Sequence, residues 1–335
     1  MSSIRDLTRA YCQRSDALAS ASYFGTFAVY FLTLYLAIHH FGTWYIAVPL
    51  VVVNALAGVR LYVLQHDCGH RSLFTKRWMN DWAGYALSTF TLTPYRAMQF
   101  NHNQHHKFLG DLDERRAGEI HTMTLREWQE ADWKTRLFYR LYRNPFILIP
   151  LGGLFVYVIR YRWPKNTMQV GPAGVLVHDA LLLAWVALLW WLGGVPALVV
   201  YGATVIIAAC TGVFLVYLQH NFEDTYWDHR PDLRHDLAAL QGSSALDLGW
   251  WFDLATGNIA YHDIHHFNAN IPSYRLRECH RELREIFDLP TINWPEAIRS
   301  FTLKLWDEDQ GKLVPFPKRE GQHGRGPFAR GAQPG

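Results

Sequence analysis

The sequence predicts an all-α integral membrane protein, with four transmembrane helices in two hairpins beneath a cytoplasmic helical cap. Three observations carry this. Four stretches are apolar over about 20 residues, the length that crosses a bilayer. Lys and Arg avoid the short links inside each pair of stretches. Histidines gather in three knots, all placed outside the apolar stretches.

The chain has 335 residues, half of them apolar and only 18% charged, below the ~25% of an ordinary soluble domain. A mean hydropathy of −0.07 hides this segregation. Cys12, Cys68, Cys210 and Cys279 are scattered, with no CxxC pair. They read as reduced thiols, not as a disulfide framework or zinc site. Cys68 reads as a small packing residue. The first apolar run begins only near residue 21 and is membrane-length, so a spanning helix is expected there and not a secretory signal.

The four spans are 21–41, 44–64, 173–192 and 195–218, paired across the tips "GT" and "GG". A fifth stretch, 145–160, is shorter and holds Pro145, Pro150, Gly152 and Gly153; it is expected to be interfacial or partly inserted. Trp190 and Trp191 read as interfacial belt residues. The folded domain is expected to cover 1–310, and the Gly-, Pro- and basic-rich tail 311–335 to be disordered.

Charge orients the spans. The N-terminal arm carries Arg5, Arg9 and Arg14, residues 66–172 carry fifteen Lys and Arg, and residues 219–335 carry thirteen. The remaining one, Arg60, sits near the end of the second span, where it can snorkel outward. The positive-inside rule then puts both termini and the middle segment in the cytoplasm, with a bacterial inner membrane the expected location.

The histidine knots are "HDCGH" at 66–70, "HNQHH" at 102–106 and "HDIHH" at 262–266, joined by His220 in "YLQHNFE". His66 and His70 are four apart. His102, His105 and His106 stand at i, i+3 and i+4, as do His262, His265 and His266. On a helix each set shares one face. All lie on the same side of the membrane and can converge. His39, His40, His121, His178, His229, His235, His280 and His323 stand alone and read as ordinary polar residues.

Nine imidazoles exceed the six ligands of one octahedral ion and suggest two metals. Imidazole suits Zn, Cu, Fe and Ni. A catalytic zinc takes three protein ligands and an open position, and the HExxH of a membrane metalloprotease is absent. The Glu-x-x-His pairs of soluble di-iron bundles are absent too. What remains is a histidine-rich di-iron site that activates O2 beside the membrane.

These motifs resemble those of the membrane-bound fatty acid desaturases, most closely the Δ12 (omega-6) acyl desaturases and their bacterial relatives. The three knots carry the resemblance, the last inside "TGNIAYHDIHHFNANIPSYRL". "YLQHNFE", "GDLDERRAGEIHTMT" and "YRLYRNPF" reinforce it over about residues 40–290. The resemblance implies two Fe ions held by His66, His70, His102, His105, His106, His262, His265 and His266, with His220 as ninth ligand. Some relatives add an asparagine through water; Asn221 and Asn258 are candidates here.

The implied reaction removes hydrogen from two adjacent methylenes of a fatty acyl substrate, with O2 as co-substrate, leaving a cis double bond and water. A sister di-iron oxidase, either a hydroxylase or an alkene-forming fatty acid decarboxylase, is the alternative. The H-x-x-H-H spacing at 102–106 favours desaturation over alkane hydroxylation, where the gap tends to be longer. A metal transporter would need ligands near the bilayer midplane, whereas these clusters flank the spans. Asp67 and Asp263 either orient ligand imidazoles or serve as solvated or capping carboxylates. No flavin or nucleotide fingerprint is found, so two electrons are expected from an external ferredoxin, rubredoxin or cytochrome. Arg115, Arg116, Arg275, Arg277, Arg281 and Arg284 either form its docking patch or contact anionic lipid headgroups. The bilayer is the other partner, and no nucleic acid is expected.

Overall fold

The computed structural model describes residues 2–115, 120–164 and 166–317. The chain is mostly helical. After a short amphipathic α1 (Ser2–Arg9) comes α2 (Asp16–His39), whose N-terminus is capped by the Ser15 hydroxyl accepting from Leu18 N at 3.3 Å. α3 (Trp44–His70) packs along α2 and ends where Arg71 turns left-handed, at φ 58°. α4 (Arg77–Thr91) and α5 (Tyr95–Lys107) fold back beside it.

Helices α6 (Leu125–Glu130) and α7 (Trp133–Tyr142) lead to α8 (Pro145–Gly153). α8 continues through a π-wound stretch, Leu154–Ile159, to Arg162. An added Cβ on Gly153 would lie 2.9 Å from the Ala209 backbone, so glycine permits this segment's close approach to the later helix. A single turn, α9 (Thr167–Val170), precedes α10 (Pro172–His220).

Four helical segments are long and apolar enough to cross a membrane: Asp16–His39, Trp44–His70, Pro145–Arg162 and Pro172–His220. The division differs from the expected one. The segment 145–162 is long enough to count as a span, whereas the last two expected spans are two helices within α10 that meet at the non-helical Gly194 (φ 56°, ψ −141°), where the "GG" tip was expected. The Trp185 and Tyr201 rings lie 6.4 Å apart across this break, where sixteen residues of straight helix would separate them by about 24 Å. The two halves therefore run back beside each other. Large apolar side chains such as Phe24, Trp44, Leu183 and Trp191 remain exposed on these helices, as Trp190 does.

Past α10, the chain forms α11 (His235–Gln241), α12 (Trp250–Ala255), α13 (His262–Phe267), α14 (Ser273–Arg284) and α15 (Trp294–Ser300). Among the described residues, five strands of two or three residues interrupt the expected all-α plan. β1 (Met123–Thr124) pairs in parallel with β4 (Leu305–Asp307), Met123 opposite Leu305, and β4 pairs antiparallel with β5 (Lys312–Val314). β2 (Ala245–Leu246) pairs in parallel with β3 (Thr291–Ile292). These strands are too short for a period-2 pattern to announce them. β5 also lies past the expected domain boundary at 310, so paired backbone continues to Val314; the remaining tail, 318–335, lies outside the described residues.

Arg60 does not simply snorkel. Its guanidinium bonds Thr26 Oγ1 at 3.1 Å, Ser22 Oγ at 3.1 Å and the Leu254 carbonyl, tying α2 and α3 to α12. Deeper, Asn54 Nδ2 donates to Thr33 Oγ1 at 2.9 Å and Asn54 Oδ1 accepts from Thr204 Oγ1 at 3.0 Å. One buried amide thus joins α2, α3 and α10 inside the apolar bundle.

Candidate metal centre

Four helix segments deliver the nine predicted histidines. The last turn of α3 carries His66 and His70, and the C-terminal half of α5 carries His102, His105 and His106. α10 ends on His220, and α13 is little more than the third knot itself. Glycine seats α5. The Tyr95 ring lies where a Cβ on Gly84 would be, 2.3 Å away, and its hydroxyl donates to the Cys68 carbonyl at 2.8 Å. Gln99 Nε2 adds a bond to the Gly69 carbonyl at 2.6 Å.

All nine histidines come together, in two groups: His66, His70, His102, His106 and His265; and His105, His220, His262 and His266. In the first group, Nε2 of His102 lies 2.8 Å from that of His66 and 2.9 Å from that of His106, which is 3.0 Å from that of His265. In the second, Nε2 of His266 lies 3.2 Å from that of His105 and 3.0 Å from that of His262. None of the other described histidines joins either group, and Cys68 is buried in the apolar core. His323 lies outside the described residues.

The donor set fits metal ions. A neutral imidazole carries one N–H. Nδ1 of His66, His262, His265 and His266 and Nε2 of His70 are buried without a hydrogen-bond partner, which is costly in a folded protein. The crowded nitrogens are the opposite ones, Nε2: a ring whose single N–H sits on Nδ1 presents a bare lone pair there, and lone pairs gathered at about 3 Å are accommodated when a cation sits among them. Burial pushes His102, His106, His262, His265 and His266 well below the usual histidine range and His105 down to about 4. The rings are thus held neutral, the form that ligates metal.

The supporting residues divide differently from the expectation. Asp67 Oδ1 stands 3.5 Å from His66 Nδ1, while its Oδ2 accepts from Ser273 N at 2.8 Å, docking α14 on α3. Asp263 Oδ2 pairs at 3.0 Å with Nδ1 of His280, one of the histidines read as ordinary. Asn221 is held by fold contacts: its Oδ1 accepts from the fully buried Arg143, and its Nδ2 donates to the Ser300 carbonyl at 2.8 Å. Asn258 Nδ2 donates to the Ser273 carbonyl at 3.2 Å. The expected basic patch is partly consumed by ion pairs, Arg115 with Glu127 and Arg277 with Asp253 at 3.1 Å; Arg116 lies outside the described residues.

A narrow, mainly apolar cavity of about 100 Å³ runs from His66, His102, His105 and His262 into the helix bundle as far as Tyr30, Phe90 and Thr204. Gly58 lies on its wall, where an added Cβ would sit 3.7 Å from Ala208 and 3.8 Å from Tyr30. A wider space of about 540 Å³ adjoins it, sharing Tyr62, His102, Tyr157, Gly212 and Val216.

Apolar helices of spanning length, a paired histidine centre at their ends and an apolar cavity leading from it define a membrane-associated oxidoreductase of the histidine-box type. Residues 42–296 match the fatty acid desaturase family, and the chain belongs to that family. It is 33% identical to a fatty acid desaturase of Bacillus subtilis over 82% of each chain. It is 26% identical to the sn-1 oleoyl-lipid 12-desaturase of Synechocystis, covering 80% of this chain and 75% of that one. It is 24% identical to the sn-1 acyl-lipid omega-3 desaturase (ferredoxin) of the same organism, covering 84% and 80%. The expected likeness to Δ12 desaturases is borne out, and the hydroxylase and decarboxylase readings are not favoured.

Proposed function

We propose that the chain is a membrane acyl-lipid desaturase that inserts a cis double bond into a lipid-borne acyl chain, using O2 and two externally supplied electrons. The observation that carries this reading is the convergence of nine imidazoles, in groups of five and four, on the mouth of a narrow apolar cavity. Those nine residues would hold two iron ions, whose contribution when bound is the reduction of O2 to an oxidant able to attack an unactivated C–H bond.

The protein's own part is positioning and exclusion. Val59, Val63, Leu215 and Ile259 wall the cavity beside the histidines and keep water from the reacting methylenes. Tyr30 and Phe90 line its far end, where the methyl terminus rests. His66, His102, His105 and His262 border the same space, so the metal ligands and the chain share a wall.

In this reading the helices form two hairpins in a bacterial inner membrane, with both termini and the metal centre cytoplasmic, as the one-sided Lys and Arg distribution supports. The electrons come from a soluble carrier. Of the three kinds expected, a ferredoxin is the best supported, since one relative is named with it.

The test is lipid analysis of a host with and without the chain. An internal alkene in membrane-lipid acyl chains is expected. An alcohol, or a terminal alkene one carbon shorter, would place the chain among the sister oxidases. Tags at either terminus and near residue 120 should resist labelling from outside intact cells, and labelling of any one would refute the topology.

A further inference from the structure

We infer that the wide space beside the metal centre is a phospholipid headgroup site, and that Arg160 receives the headgroup phosphate. The inference rests on the desaturase reading and adds the chemical class of the acyl carrier.

The space has two characters. Phe155, Val156 and Val213 supply apolar lining, and Phe155 is exposed, on the segment long enough to cross a membrane. Asn101, Gln104, Tyr161 and Asn166 supply hydrogen-bonding groups, with Asn166 Nδ2 bonded to Asn101 Oδ1 at 2.8 Å. Among the described lining residues Arg160 is the one cation. Its guanidinium makes no hydrogen bond or ion pair with any described residue, in contrast to Arg143 and Arg162, which do. Among the same lining residues Glu114 is the one carboxylate.

Arg160 stands near the end of the apolar segment Pro145–Arg162, the level at which lipid phosphates lie. A guanidinium fork matches phosphate oxygens. At about 540 Å³ the space is much larger than a fatty acid carboxylate needs. It shares His102 and Tyr157 with the narrow cavity. A glycerophospholipid entering sideways from the bilayer would leave its phosphate on Arg160 and its glycerol against the Asn101–Asn166 pair. One acyl chain would then thread past His102 into the bundle.

The test uses iron-loaded, full-length enzyme with its reducing system in vesicles of phosphatidylglycerol or of monogalactosyldiacylglycerol bearing the same acyl chains. Wild type should desaturate the phospholipid faster. Arg160→Gln should lower the phospholipid-to-galactolipid ratio of kcat/KM roughly tenfold or more, through KM, because a charge-assisted contact is lost. Arg160→Lys should lower it less, and Lys134→Gln, on the remote α7, should leave it unchanged. An equal loss on both lipids would make Arg160 a membrane anchor. No wild-type preference for phospholipid, or turnover only of acyl-CoA or free acid, would also overturn the assignment, and the wild-type comparison decides even if Arg160→Gln fails to fold. If wild type makes no alkene from any substrate, the desaturase reading itself is what fails.

Discussion

His220 Nδ1 donates to the Gly242 carbonyl oxygen at 3.1 Å. That bond fixes the tautomer and leaves Nε2 as the nitrogen that can ligate a metal, in the group with His105, His262 and His266. His220 lies outside the three sequence knots, yet the fold treats it as their equal. His220→Ala should abolish product formation and lower bound iron. His229→Ala should not, since His229 is an exposed surface residue paired with Asp113 and Glu308, nor should His235→Ala. Near-normal iron and product in His220→Ala would reduce the ligand set to eight.

Elemental analysis of fully loaded enzyme should give about two irons per chain. Removing them should lower the melting temperature, because metal bound only by the folded state stabilises it by mass action. Mainly zinc, or no more than one iron in active enzyme, would sink the paired-iron reading.

Gly84→Ala places a Cβ 2.3 Å from the Tyr95 ring. Tyr95 starts α5, so relief of the clash displaces His102, His105 and His106 together. Iron content should fall far more than at Gly58→Ala, where the new Cβ meets only ordinary contacts. Equal iron in the two variants would mean that α5 is not seated by this contact.

Filling the cavity should separate turnover from metal binding. Gly58→Phe projects a ring toward Tyr30 and Ala208 and should cut desaturation of long acyl chains roughly tenfold or more by overpacking, with iron unchanged. Unaltered turnover in Gly58→Phe would mean that the acyl chain takes another path.

Asn54→Leu removes the amide that joins α2, α3 and α10. Buried polar contacts between membrane helices are each worth about 1 kcal/mol, so the variant should melt a few degrees lower in detergent. A melting point equal to wild type would show that packing alone holds the three helices.

The sequence exposed the clustered histidines more fully than their scaffold. Spacings of i, i+3 and i+4 are visible in a string of letters, and so is a 20-residue apolar run. The supporting contacts are not visible, because they join distant segments. Arg143 is fully buried beside Lys304, whose ammonium is pushed down to about 8 by burial and by Arg143, and nothing in "LYRNPF" announces a buried cation. Asp263 looked able to orient its neighbours, yet its partner is His280, seventeen residues on. Asn221, next to His220, invited a ligand's role, but Arg143 and the Ser300 carbonyl hold its amide. The break at Gly194 was legible as "GG" between two apolar runs, and helix resumes directly beyond it.

Helix α3 lines the cavity with Gly58, Val59, Tyr62 and Val63 and then, without interruption, supplies His66 and His70. α10 does the same from Thr204 to His220. Two continuous rods therefore act as a ruler graduated at about 1.5 Å per residue. From Thr204 to His220 they mark off about 24 Å along the axis. If the proposed acyl chain rests its methyl end against Tyr30, it is measured from that end, and helix length sets the number of carbons beyond the oxidised bond. The scale cannot be adjusted finely, because one inserted residue turns the ligands by about 100°. The position of oxidation is therefore more readily moved by exchanging floor side chains such as Gly58 or Tyr30 than by altering the rods.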